Sequence, residues 1–304
     1  MRPLKAVLIA GPTASGKSGA ALAIAAAFGG TIVNADSMQV YRELRVLTAR
    51  PSESDEARAP HRLYGSVGVA EAYSVGRWLD AAAKAIEAAT NAGSRLIIVG
   101  GTGLYFKALT EGLASVPDIP AEIRNHWRER AEELGRDKLY LELVLRDPGM
   151  AARLRNGDTQ RLVRALEVIG ATGVSLADWQ SSNASPILDP ALTLRIVVAP
   201  EREPLYAAIH ARFDAMMEEG ALEEMERLIA LRLDPSLPAM RAHGVAELAA
   251  YLVGASSRED AVAKAKTESR RYAKRQMTWA RRYMADWEWV PDAEAAAARY
   301  QRDA

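Results

Sequence analysis

The chain of 304 residues contains no cysteine. That excludes disulfides, thiolate metal sites and a cysteine nucleophile. It also lacks a net charge, because Lys+Arg and Asp+Glu are 39 each. Bulk charge is therefore silent about nucleic acid, and only the distribution of charge can speak. No apolar run approaches the roughly 18 residues of a membrane span. The first apolar segment starts within a few residues of Met1, which leaves no room for a signal peptide. Cytoplasm is the expected compartment. Internal repeats and low-complexity tails are missing as well. What is present is ordinary for a globular protein: 49% hydrophobic and 26% charged residues, enough for one large or two modest domains.

The organising stretch runs from Ala6 to Ser18. Ala6 to Ala10 reads as a buried strand, and Gly19 to Phe28 as an alanine-rich helix. Between them lie Gly11, Pro12, Thr13, Ala14, Ser15, Gly16, Lys17 and Ser18, the spacing of a phosphate-binding, ATP-type loop. Glycines let several backbone N–H groups face one point. The helix N-terminus adds partial positive charge and Lys17 a full one. The Ser18 hydroxyl can ligate Mg2+ on a bound phosphate. A di- or triphosphate ligand follows.

Gly29-Gly30 caps the helix, and Thr31 to Asn34 forms a second strand. It delivers Asp36 to the carboxyl end of a parallel sheet, where ligands bind in open α/β folds. Three roles are open to Asp36: helix cap, magnesium ligand and general base. Arg45 to Tyr73 reads as a long irregular connection. A helix over Tyr73 to Asn91 leads into a third strand, Arg95 to Val99, and then Gly100-Gly101-Thr102-Gly103. Many phosphate-loop ATPases carry an acid there to hold magnesium. Here glycines allow a ligand close to the backbone, and Thr102 offers a hydroxyl. The break at Val116 to Pro120 marks a boundary. Short helices follow, Ala121 to Leu134 first, then Thr159 to Gly170 after a Gly157-Asp158 turn and cap. The Ser181 to Pro186 stretch reads as a loop. Leu192 to Ala199 is a further strand of the first sheet, so the helical block is an insertion. The predicted fold is α/β, a phosphate-loop NTPase-like parallel sheet flanked by helices. Its parts are residues 1–117, a helical insertion 118–190, and core completion with helical C-terminal segments over 191–304.

Lys264 to Arg282 holds eight basic residues and one acid, Glu268. On a helix, Tyr272, Gln276, Trp279 and Tyr283 form one stripe, which reads as core rather than as a base-stacking platform. Arg271, Arg275 and Arg282 flank it. This excess of cations in a neutral protein suggests a polyanion footprint.

Together these residues resemble the tRNA dimethylallyltransferases, or isopentenyltransferases. The resemblance rests on Gly11 to Ser18, Asn34-Ala-Asp-Ser-Met-Gln-Val-Tyr41, Val99-Gly-Gly-Thr-Gly-Leu-Tyr105, Gln160-Arg161 with Arg164-Ala-Leu-Glu-Val168, and Arg270 to Trp279. They occur in the family's order. Two departures stand out: Arg155-Asn-Gly-Asp158 where the family has a His-Pro-Asn-Asp-like turn, and His243-Gly-Val245 where it tends to have Gly-Tyr. The resemblance implies transfer of a dimethylallyl group from dimethylallyl diphosphate to the exocyclic amine of the adenosine 3′ to the anticodon. It implies Asp36 as base, with Thr102 beside it. Thr13 and Arg241 would help the phosphate loop bind the diphosphate, with Mg2+ on Ser18. Asp36, Ser37, Met38, Gln39, Thr102, Arg124, Gln160, Arg161, Leu162, Val163, Arg164, Arg271 and Arg275 would contact the anticodon stem-loop. A monomer is expected. Three rivals are a phosphate-loop kinase or ATPase, a prenyltransferase acting on free adenine nucleotides, and a non-catalytic RNA-binding protein.

Overall fold

The computed structural model describes residues 6–181 and 185–302. In chain order, β1 (Ala6–Ala10) feeds α1 (Lys17–Phe28) and β2 (Gly30–Asn34) follows. Then come α2 (Glu53–Arg58), β3 (His61–Arg62), α3 (Val75–Asn91), β4 (Arg95–Gly100) and α4 (Gly103–Glu111). The next four helices are α5 (Ala121–Arg146), α6 (Pro148–Ala151), α7 (Thr159–Thr172) and α8 (Leu176–Ser181). The chain continues through β5 (Thr193–Val198), α9 (Arg202–Glu218), α10 (Ala221–Ala230), α11 (Val245–Leu252), α12 (Arg258–Tyr283), β6 (Glu288–Val290) and α13 (Ala293–Gln301). The expected loop from Ser181 to Pro186 lies partly outside the described residues, at 182–184; Ser181 itself ends α8.

All strands are parallel, in the order β3-β2-β4-β1-β5-β6. β1 sits between β4 and β5, so the strand read as a return after the insertion does pair beside the first. Both faces of the sheet are covered, as continuous apolar strands require. Along β1, Val7 and Ile9 point into a core with α1 and α13. Leu8 and Ala10 point into the opposite core, which holds Trp78, Phe106 and Leu248.

Two compact units divide the chain, one of residues 1–110 and 187–304, the other of 111–186. The boundaries fall before those expected at 117/118 and 190/191. The reason is packing: Val116 and Ile119 join the core of the smaller unit around Trp127, Leu139 and Leu166, whereas Leu188 joins the core of the larger. Asp158 caps α7 through Arg161 N–H, and Gly173 ends it at φ 69°. α5 runs beyond Leu134, broken at Gly135 (φ 67°, ψ 171°).

Two local expectations change. Gly29 alone caps α1, because Gly30 already pairs in β2. The connection from Arg45 to Tyr73 is not structureless, since it contains α2, β3 and a bridge between Tyr41 and Val67.

Candidate active site

The site gathers at the carboxyl ends of β1, β2 and β4. The phosphate loop leaves β1 at Gly11 and enters α1 through Gly16, which takes φ 85°. Lys17 is buried and donates to Pro12 O at 3.1 Å. Burial lowers its pKa to about 8; Asp36 opposes that shift and Arg212 reinforces it. Ser18 is exposed in the first turn of α1, and the buried Ser15 hydroxyl nearby has no hydrogen-bond partner.

Asp36 is presented by a built turn. Asn34, fully buried, accepts from Asp36 N–H at 2.8 Å and donates to Asp36 O at 2.9 Å. Asp36 Oδ1 accepts from Met38 N–H at 2.9 Å. Its other oxygen faces Gly101. Asp36 therefore caps a local turn and no helix, which removes one of its three readings. Thr102 ties β4 to β2: its hydroxyl accepts from Ser37 N–H at 2.9 Å, and its own N–H donates to Ala35 O at 3.1 Å.

The glycines at the end of β4 and just beyond it also serve close packing. A Cβ on Gly100 would overlap the Ala35 backbone, on Gly101 the Gln276 amide, and on Gly103 the Trp279 ring. The side-chain space at each glycine is filled by protein, while the backbone of Gly101 and Gly103 borders a cavity beside Thr102. Gly103→Ala should therefore lower stability by about 1–3 kcal/mol, the cost of overpacking against a rigid ring. A denaturant melt reads it, and an unchanged midpoint would contradict the packing.

α12 lies across this surface. Gln276 Oε1 accepts from Thr13 N–H at 2.9 Å, and its Nε2 donates to Gly101 O at 3.0 Å. The stripe of Tyr272, Gln276 and Trp279, expected to be core, is only half-buried and lines cavities. The core face of α12 is instead small: Ala261, Ala265, Ser269, Ala273 and Ala280. Small residues let the helix come close while the larger side chains reach the site.

Two cavities share Tyr272. The first holds Thr13, Asp36, Arg212 and His243 beside apolar Leu47 and Phe213. The second, about 240 Å3, runs over Gly11, Ser37, Thr102, Arg275 and Trp279. Arg212 donates to Thr13 Oγ1. Burial lowers its pKa, while Asp36 acts to raise it. His243 packs on Tyr272 at 4.3 Å between ring centroids. Burial, then Arg275, depress its pKa below the usual imidazole value, so it is neutral at pH 7.

Sequence reasoning missed Arg212 and His243. It named Arg241 instead, which is exposed at the end of a short 3-10 turn and lies outside both cavities. A signal for Arg212 existed. Leu205, Ile209 and Met216 make the buried stripe of α9, and Arg212 occupies the missing i+7 place in it.

Other expected contact residues are dispersed. Gln39 spends its amide on Thr48 O and Ala49 O. Arg271 is exposed and paired with Glu268, while Arg275 lies over the Tyr272 ring and lines the second cavity. In the smaller unit, Gln160 and Arg161 are exposed at the start of α7, Arg161 paired with Asp158 at 3.2 Å. Arg164 pairs with Glu167 at 3.4 Å, Val163 packs on the core edge, and Arg124 donates to Ile119 O at 3.1 Å. Leu162 is 0% exposed in that core, so it presents nothing to a partner.

Among the described residues there is no group of three or more His, Asp or Glu fit to hold a metal. No helix among them is long and apolar enough to cross a membrane.

The IPP transferase family model matches residues 39–283. A tRNA dimethylallyltransferase of Rhodopseudomonas palustris (strain BisB18) is 52% identical over 299 residues, covering 98% of this chain and 94% of that relative. One from Methylocella silvestris is 53% identical over 292 residues, covering 96% of each. Among solved structures, a eukaryotic dimethylallyltransferase acting on tRNA superposes with TM-score 0.82 at 27% identity, covering 98% of this chain and 77% of that one. The tRNA isopentenylpyrophosphate transferase of Bacillus halodurans gives TM-score 0.66 at 32% identity, covering 95% and 90%. With a phosphate loop, a carboxylate and a half-buried arginine around one cavity, and with identity above one half along nearly the whole length, the chain belongs to the IPP transferase family.

Proposed function

We propose that this chain transfers a dimethylallyl group from dimethylallyl diphosphate to the exocyclic amine of the adenosine 3′ to the anticodon in tRNA. One observation carries the reading beyond the family: a carboxylate and a cationic phosphate grip meet in one cavity, with Asp36 beside Thr13 and Arg212. The diphosphate sits on the phosphate-loop amides, Lys17 and Arg212. The prenyl chain lies along Leu47 and Phe213. The target base, out of its stack, enters the second cavity past Trp279 and Thr102.

As the allylic carbon–oxygen bond breaks, negative charge grows on the diphosphate, and Lys17 and Arg212 stabilise it. The carbon–nitrogen bond forms as the amine loses a proton to Asp36, and diphosphate departs. Mg2+ would fit this arrangement as a phosphate-borne ion held by the exposed Ser18 hydroxyl in the first turn of α1. Bound there, it would supply positive charge to the leaving group. Arg124, Gln160, Arg161, Arg164 and the basic face of α12 supply phosphate contacts to the anticodon stem-loop. The chain works as a monomer in the cytoplasm.

Labelled dimethylallyl diphosphate tests this, offered with Mg2+ to unmodified tRNA and, separately, to AMP and ADP. Label should enter tRNA alone. Arg212→Met should raise the donor KM roughly 10- to 100-fold, the worth of a charge-assisted hydrogen bond, with the tRNA KM unchanged. An unchanged donor KM would move the donor out of this cavity. Label in the free nucleotides would change the substrate class.

A further inference from the structure

Glu224 is a carboxylate where its helix calls for an apolar side chain. α10 buries Ala221, Met225 and Leu228, and Glu224 lies on the same face at 3% exposure. Its oxygens accept three consecutive main-chain N–H groups. Arg45 and Val46 donate to Oε2, each at 2.8 Å, and Leu47 donates to Oε1 at 2.9 Å. Hydrogen bonds to an ionised acceptor are the strong ones. The far side of the same loop is held by Gln39, which donates to Thr48 O at 2.8 Å and Ala49 O at 2.9 Å. Residues 44–49 belong to no helix or strand. Side chains from elsewhere therefore do for this loop what a sheet ladder does for a strand.

What the clamp fixes is a wall of the first cavity. Leu47 and Thr48 both line it. Leu47 and Phe213 close together over Gly244: a Cβ there would lie 3.4 Å from Leu47 Cδ2 and 3.1 Å from Phe213 Cε2. Met38, Ile209, Met216 and Ala242 complete the apolar lining. A prenyl chain has no polar handle, so a site can measure its length only by where an apolar wall stands and how firmly that wall is held. A loop with free amides would yield to a longer chain. One tied by three bonds to a buried carboxylate would not.

We propose that Glu224 is a specificity-determining positioning residue: by clamping the amides of Arg45, Val46 and Leu47 it holds Leu47 as the end wall of the prenyl cavity and restricts the donor to five carbons. This rests on the assignment of that cavity to the donor, which Arg212→Met tests separately. The measurement is the ratio of kcat/KM for geranyl diphosphate to that for dimethylallyl diphosphate, with the same tRNA. Glu224→Gln keeps the shape but removes the charge and sets an NH2 against a backbone N–H. It should raise the ratio at least about tenfold, the scale on which apolar pockets discriminate length, and leave the tRNA KM unchanged. Leu47→Ala moves the wall without touching the clamp and should raise the same ratio. If Glu224→Gln does not fold, Glu224→Asp, which keeps the charge and draws the loop by one methylene, is read the same way. A role in stability alone would lower the melting midpoint and both kcat/KM values together. A ratio unchanged in the Glu224 variant, with the donor KM still sensitive to Arg212, overturns the proposal.

Discussion

Asp36→Asn lowers kcat for dimethylallyl transfer by about 100- to 10,000-fold, the usual worth of a general base, and leaves the donor KM near that of the parent. Asparagine keeps an oxygen for Met38 N–H, so the turn set by Asn34 survives. What goes is the oxygen facing Gly101, which alone can take the amine proton. Because the amine stays neutral until carbon–nitrogen bonding begins, the loss appears in the chemical step and not in binding. Single-turnover kinetics with labelled donor read it. Turnover within a few-fold of the parent would remove Asp36 as base. A raised donor KM at unchanged kcat would make it a binding residue instead.

The second large effect belongs to Lys17. Its ammonium is buried, and its pKa is lowered to about 8. Only the protonated form attracts a diphosphate. Donor affinity should thus be level below pH 8 and fall about tenfold per unit above it, as the charged fraction falls. The bound diphosphate favours the charged form, so the break belongs to kcat/KM, which reports the free enzyme, more than to kcat. Lys17→Met should flatten the profile and lower kcat/KM by about 100- to 1000-fold, on the scale of losing one electrostatic donor at a developing anion. A break that persists in Lys17→Met would assign it to another group.

These two residues were legible in the sequence because their surroundings are local. The phosphate loop is a run of eight residues between a strand and a helix, and Asp36 follows a strand end by two. The sheet was legible for the same reason, down to the return of β5 beside β1. Residues 45–73 were read as irregular because β3 has only two residues, too few to show a period. Arg212 and Glu224 were harder for a different reason. Each is a charge inside an apolar helical stripe, and the partners that justify its place stand far away in the chain: Thr13 for one, the Arg45–Leu47 amides for the other. A lone charge in a stripe reads as a solvated edge until tertiary structure supplies its partner. The aromatic stripe of α12 failed conversely, since large apolar side chains at helical spacing read as core whether they fill a core or a cavity.

Gln276 gives the molecule a calendar. Its bond to Thr13 joins residues 263 apart in sequence. At a synthesis rate of about 5–20 residues per second, the phosphate loop waits roughly 13 to 53 s for the residue that closes over it. The first strand–loop–helix can form early, but no nascent chain stopped short of α12 carries a finished site. A chain cut anywhere ahead of Gln276 lacks the residue that closes over the loop, so truncations should abolish dimethylallyl transfer wherever they fall before α12 and not only near the start.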